Sequence, residues 1–192
     1  RDPVRDLGKA ARAAGLRYGV YYSHKADWYH VRTVRRGEAE KGYEFDTYFD
    51  NVCMAQLREL LVGYGPLDVL WFDLGIDAPY AERLQQLVRE LSPNTLISGR
   101  IGAGLGDFKS RHDCEVPVTP LPPPWETPMT MNFHWAWYPQ DIYHKSAAEV
   151  VNMLAEVRAK GGCLLLNVGP DDQGRIPPRD TAVLRQVGAW MR

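Results

Sequence analysis

The chain has 192 residues, a formal net charge of −1 and 45% hydrophobic residues, enough for one sizeable core and no more than one domain. Near-zero charge supplies no broad basic field, which argues against a nucleic-acid partner. No apolar run approaches the roughly 18–20 residues that span a bilayer, so no membrane segment is expected.

Asp2-Pro3 reads as a helix start, an N-cap followed by proline at the first helical position. Val4, Leu7, Ala11 and Ala14 recur at helical spacing, and Gly15 closes the helix. Residues 16–23, LRYGVYYS, read as a strand. A long helix is expected over residues 43–62, broken by Gly63-Tyr64-Gly65-Pro66. The next strand, residues 67–72, is apolar on both faces. Leu84, Leu87, Val88 and Leu91 then share one face of a helix over 79–91, Ser92-Pro93-Asn94 turns the chain, and 95–98 form a short strand. From 102 to 143 the pattern lapses into Pro, Gly and aromatic residues, a long irregular stretch of the kind that carries function in α/β proteins. Ser146 and Glu149 have the spacing of a capping box ahead of Val150, Leu154 and Val157. Gly161-Gly162 ends that helix, 163–168 read as a doubly buried strand, and a last helix covers 179–191. Doubly buried strands alternating with helices imply a parallel sheet.

Strand ends are where such a sheet places chemistry. Tyr21 and Tyr22 end one strand, Asp73 follows Trp71-Phe72 at the next, and Arg100 closes the third. Alternation sends Tyr21 and Tyr22 to opposite faces, so one can face a site while the other packs. His24 follows directly and is a candidate substrate contact. Position alone leaves Asp73 either a nucleophile or a turn-capping residue. A retaining glycosidase needs a second carboxyl about 5–5.5 Å away, and Asp107, Asp113, Glu115 and Glu126 are all candidates that spacing does not separate. Six Trp and ten Tyr suit either packing or the apolar faces of a sugar. Cys53, Cys114 and Cys163 match no zinc spacing and no CxxC, and no P-loop, dinucleotide fingerprint or GxSxG is present. No metal or organic cofactor is expected.

Five segments are recognisable together: GLRYGVYYSHKADWYH, YGPLDVLWFD, GDFKSRHDCEVP, WETPMTMNFHWAWYPQD and YHKSAAEVVNMLAEVRAKGGCLLLNVGPDDQGRIPP. In this order they resemble glycoside hydrolase family 29, the α-L-fucosidases, and Lys-Gly-Gly-x-Leu-Leu-Leu-Asn-Val-Gly-Pro is the most specific part. The resemblance implies a TIM-type (β/α)8 barrel and release of α-L-fucose from fucosylated glycans with retention. It assigns the nucleophile to Asp73. Substrate-binding roles fall on Tyr21, Trp71, Arg100 and Trp135, the last against the sugar's apolar face and methyl group. The acid/base varies within the family; here it maps best to Glu115, then Asp113, with Glu126 read as a loop staple. The partner implied is a fucosylated oligosaccharide or glycoconjugate, and the location implied is secreted, periplasmic or lysosomal. A non-catalytic carbohydrate-binding homologue, or a barrel glycosidase for a related sugar such as an α-galactoside, is the alternative.

Two departures from the family pattern stand out. The His-His-Asp-Gly segment that binds sugar hydroxyls is absent, together with the first barrel strands and a C-terminal β-domain. Residues 1–192 are therefore expected to form one partial barrel domain, inactive by itself because an open barrel exposes strand edges. Second, Leu74 stands where many relatives carry Gly after the nucleophile.

Overall fold

The computed structural model describes residues 2–27, 29–30 and 43–192, in two compact units, Arg1–Lys109 and Ser110–Arg192. In the first unit, helix α1 (Pro3–Ala13) starts as expected: the Asp2 side chain accepts from the Arg5 amide, with Pro at the first turn. Strand β1 (Gly19–Tyr22) follows. The helix expected over residues 43–62 is interrupted. Helix α2 (Tyr43–Tyr48) runs into a five-residue π turn (Phe49–Cys53) before α3 (Met54–Gly63). The wider turn accompanies full burial of both Phe49 and Cys53, a packing outcome that helical periodicity does not announce. Strand β2 (Val69–Phe72), helix α4 (Ala78–Leu91), strand β3 (Leu96–Ile97) and a 3-10 turn (Gly99–Ile101) complete this part.

The three strands pair in parallel in the order β1-β2-β3. Phe49, Leu57, Leu70, Phe72, Leu84 and Ile97 are fully buried in one core, so the helices cover the sheet through their apolar stripes. Of β2, Leu70 and Phe72 face that core while Val69 and Trp71 are only half-buried. The alternation matters for the site, because it turns Trp71 and the next odd position, Asp73, to the same side. Beyond the strands, the Gly75 amide donates to the Arg100 carbonyl and Ile76 to Ile101, locking the β2 and β3 exits together. Gly102, at φ +104°, lies so close to the Ile76 backbone that any Cβ would overlap it.

β4 (Lys109–Ser110) ends on the first residue of the second unit. Strand β5 (Trp125–Thr130) lies inside the stretch read from sequence as irregular. Its sequence WETPMT carries Pro128 and lacks simple alternation, yet all but Glu126 are buried. It pairs in parallel with β6 (Cys163–Asn167). Helix α5 (Ala147–Ala159) has the capping box read from Ser146 and Glu149, with both reciprocal hydrogen bonds formed. Helix α6 (Pro178–Trp190) closes the unit. The expected double burial of β6 is not found: Cys163 and Leu165 are exposed and the other residues half-buried. The apolar run is real, but its burial needs cover that the described residues of this unit do not supply. Among the described residues, no helix is long and apolar enough to cross a membrane.

Candidate active site

The exits of the first three strands bring four predicted site residues into direct contact. β1 and β2 pair with Tyr21 opposite Trp71, and the two rings stack at 5.5 Å between centroids, 24° between planes. The Tyr21 hydroxyl donates to Asp73 Oδ2 at 2.9 Å. An Arg100 guanidinium nitrogen donates to Asp73 Oδ1 at 3.1 Å, and the same guanidinium lies 4.9 Å from the Trp71 ring centroid. The Leu74 amide makes a third bond, to Asp73 Oδ1 at 2.8 Å. Three donors on two oxygens fix the orientation of this carboxylate; two of them fall on Oδ1, and Oδ2, with one, retains lone-pair capacity for an incoming electrophile.

Tyr21 and Tyr22 divide as alternation requires. Tyr22 turns inward, its hydroxyl bonded to Gln56 Oε1 at 2.9 Å, and burial pushes its pKa well above the ordinary phenol range. Tyr21 is 58% exposed. Partial burial first, then the hydrogen bond to Asp73, push its hydroxyl up to about 12. It therefore stays a donor throughout the neutral range.

His24, read from the sequence as a candidate substrate contact, is fully buried and packs edge-on against Phe72, centroids 5.1 Å apart. Burial lowers its ring to about 4, opposed by the charge of Asp73. The consequence for stability has a definite sign. Between about 6.5 and about 4 the unfolded chain takes up a proton that the folded chain refuses. Stability is therefore full above that window and falls as pH drops through it, by about 3 kcal/mol in total. Urea unfolding of the wild type and of His24→Gln at several pH values checks this; identical pH slopes in the two would contradict it.

Of the four carboxyls considered for acid/base chemistry, Asp107 is committed elsewhere. Arg89 grips both its oxygens at 2.6 and 2.7 Å, and the Ile97 amide donates to it at 2.7 Å. In the second unit, the segment ahead of Glu115 is stitched along β5. Arg111 donates its amide to the Glu126 carbonyl, Cys114 to the Pro128 carbonyl, and Thr127 Oγ1 to the Glu115 carbonyl. This leaves the Glu115 side chain exposed, along with that of Asp113, whereas Glu126 is half-buried within the strand. Trp135 is 45% exposed, and its carbonyl accepts from Asn167 Nδ2 at 2.7 Å.

Two supporting residues were not singled out in the sequence. Ser98 Oγ donates to the Phe72 carbonyl at 3.0 Å and ties β3 to the residue before Asp73. Asn167, at the end of β6, holds the Trp135 segment. Both occupy strand exits, and that position is the signal that could have found them. Among the described residues, no group of three His, Cys, Asp or Glu is placed to hold a metal ion.

An aspartate gripped by arginine and tyrosine, beside a stacked Tyr–Trp pair, thus sits at the exits of a parallel sheet in an α/β fold. The chain belongs to the α-L-fucosidase family, whose description matches residues 1–192. It is similar to the plasma α-L-fucosidase of Rattus norvegicus, at 30% identity over 207 residues that cover 100% of this chain and 44% of the rat protein. Among solved structures it resembles α-L-fucosidase isoenzyme 1 from Paenibacillus thiaminolyticus, with a TM-score of 0.90, 36% identity, and coverage of 100% of this chain and 52% of that one. It also resembles the α-L-fucosidase AlfC from Lactobacillus casei in complex with α-L-fucose product, with a TM-score of 0.87, 30% identity, and coverage of 99% and 64%. The α/β fold is thus that of fucosidase catalytic domains, and the chain spans less than two thirds of each of these relatives.

Proposed function

We propose that this chain supplies the nucleophile-bearing part of a retaining α-L-fucosidase, a glycoside hydrolase acting on fucosylated glycans or glycoconjugates. The observation that carries the reading is Asp73, held at a parallel-strand exit by Tyr21, Arg100 and the Leu74 amide. In the first step Asp73 attacks the anomeric carbon. The bond to the leaving oxygen breaks as Glu115 delivers a proton to it. In the second step Glu115 takes a proton from water, whose oxygen displaces Asp73 and releases fucose with retained configuration. Arg100 and Tyr21 orient the carboxylate and stabilise charge as it shifts. Trp71 and Trp135 offer apolar faces to the sugar, and His24 packs against Phe72.

The parallel strand pairs and covering helices suit part of a (β/α)8 barrel, with residues 1–192 as one partial barrel domain. Plasma and tissue enzymes among the relatives support a secreted or lysosomal setting. The D200A mutant of AlfC is known in complex with 4-nitrophenyl α-L-fucopyranoside and with Fucα(1,6)GlcNAc, which supports a fucosylated glycan as substrate here too. The test is a panel of 4-nitrophenyl glycosides given to the protein expressed from its complete coding sequence. Turnover of the α-L-fucoside well above the α-galactosides is expected. Binding of fucose without turnover would identify a carbohydrate-binding protein instead.

A further inference from the structure

Leu74 adopts a left-handed backbone conformation, φ +74°. Few residues with a branched apolar side chain do so, because Cβ crowds the backbone there. Its side chain gains little from the fold in return, since Leu74 is 57% exposed. Its amide is bonded to Asp73 Oδ1, but glycine or asparagine could make that bond with less strain. Among the described residues of its unit, a strained, exposed, apolar side chain next to the reactive carboxylate has no structural reason. Such strain collects at functional positions.

The chemistry says which part of the substrate it meets. In a retaining displacement the nucleophile approaches the anomeric carbon from the face opposite the leaving group. A side chain flanking Asp73 therefore meets the sugar that is transferred, not the aglycone. We propose that Leu74 is a specificity-determining residue that packs against the 6-deoxy methyl group of the fucosyl unit and disfavours 6-hydroxylated sugars. This rests on the reading of Asp73 as a fucosidase nucleophile. A hydroxyl added at that carbon would lose its water against the leucine without gaining a partner.

The test compares kcat/KM for 4-nitrophenyl α-L-fucoside and α-L-galactoside, which differ by that one hydroxyl. The wild type, Leu74→Gly and Leu74→Asn are measured, each expressed from the complete coding sequence. Both replacements suit the left-handed conformation, so melting temperatures should remain within a few degrees of the wild type. The fucoside-to-galactoside ratio should fall by about tenfold in Leu74→Gly, the usual scale for one small apolar contact, and further in Leu74→Asn. A ratio unchanged within twofold in both variants, or an equal loss on both substrates, overturns the proposal and leaves the parent reading standing. No wild-type turnover of the fucoside overturns both.

Discussion

Asp73→Ala should lower kcat on 4-nitrophenyl α-L-fucoside by on the order of 10⁴-fold or more, since no covalent intermediate can form. Loss of rate alone does not prove the role. Removing Asp73 takes away one partner of Arg100 and of the Tyr21 hydroxyl, which both donate to it, and losing a charge-assisted bond at a mostly buried guanidinium is itself destabilising. Arg100 is only 19% exposed at its side chain, so some drop in melting temperature is expected as well. The distinguishing readout is azide. Without the aspartate, azide can enter the vacated space, form the bond to the anomeric carbon and expel 4-nitrophenolate. The product is fucosyl azide of inverted configuration. A purely structural Asp73 would lose activity with no such rescue.

Glu115→Ala should divide two kinds of substrate. A natural glycan has a poor leaving group and needs the proton, so its turnover should fall by about 10²–10⁴-fold. The 4-nitrophenyl fucoside leaves without help, so its first step is spared and the fucosyl-enzyme accumulates. Azide should then speed turnover and give the product of retained configuration. The same behaviour in Asp113→Ala, with Glu115→Ala unaffected, would move the acid/base role to Asp113. Glu115 and Asp113 both expose their side chains beside a backbone pinned to β5. Asp107 does not compete, because one Arg89 guanidinium nitrogen bridging both oxygens and the Ile97 amide engage its carboxylate.

Much of this arrangement is legible from residues alone, and the failures have physical causes. Local chemistry reads well: Asp2 caps α1, and Ser146 with Glu149 closes a capping box, because both depend on neighbours within one turn. Apolar runs read at 67–72 and 163–168 contain the parallel strands Val69–Phe72 and Cys163–Asn167. Their burial is less readable, since β6 leaves Leu165 exposed although its composition matches that of a core strand. β5 escapes notice because Pro128 and the polar residues beside it mask a strand whose burial comes from tertiary packing. The π turn at Phe49–Cys53 is likewise a packing result. In the site, alternation separates Tyr21 from Tyr22 in advance. His24, beyond the end of that strand, is fully buried, which its position in the sequence does not announce. The left-handed backbone of Leu74 is a conformational fact that no composition pattern carries.

The central claim is that Asp73 forms the covalent intermediate. A 2-deoxy-2-fluoro-α-L-fucosyl fluoride tests it most directly, because the electronegative substituent slows both steps while the fluoride leaving group preserves the first. After incubation, digestion and mass spectrometry, the added fluorofucosyl mass should sit on the peptide containing Asp73 and fragment to that residue. The same mass on any other carboxylate, with Asp73 unmodified, would contradict the account.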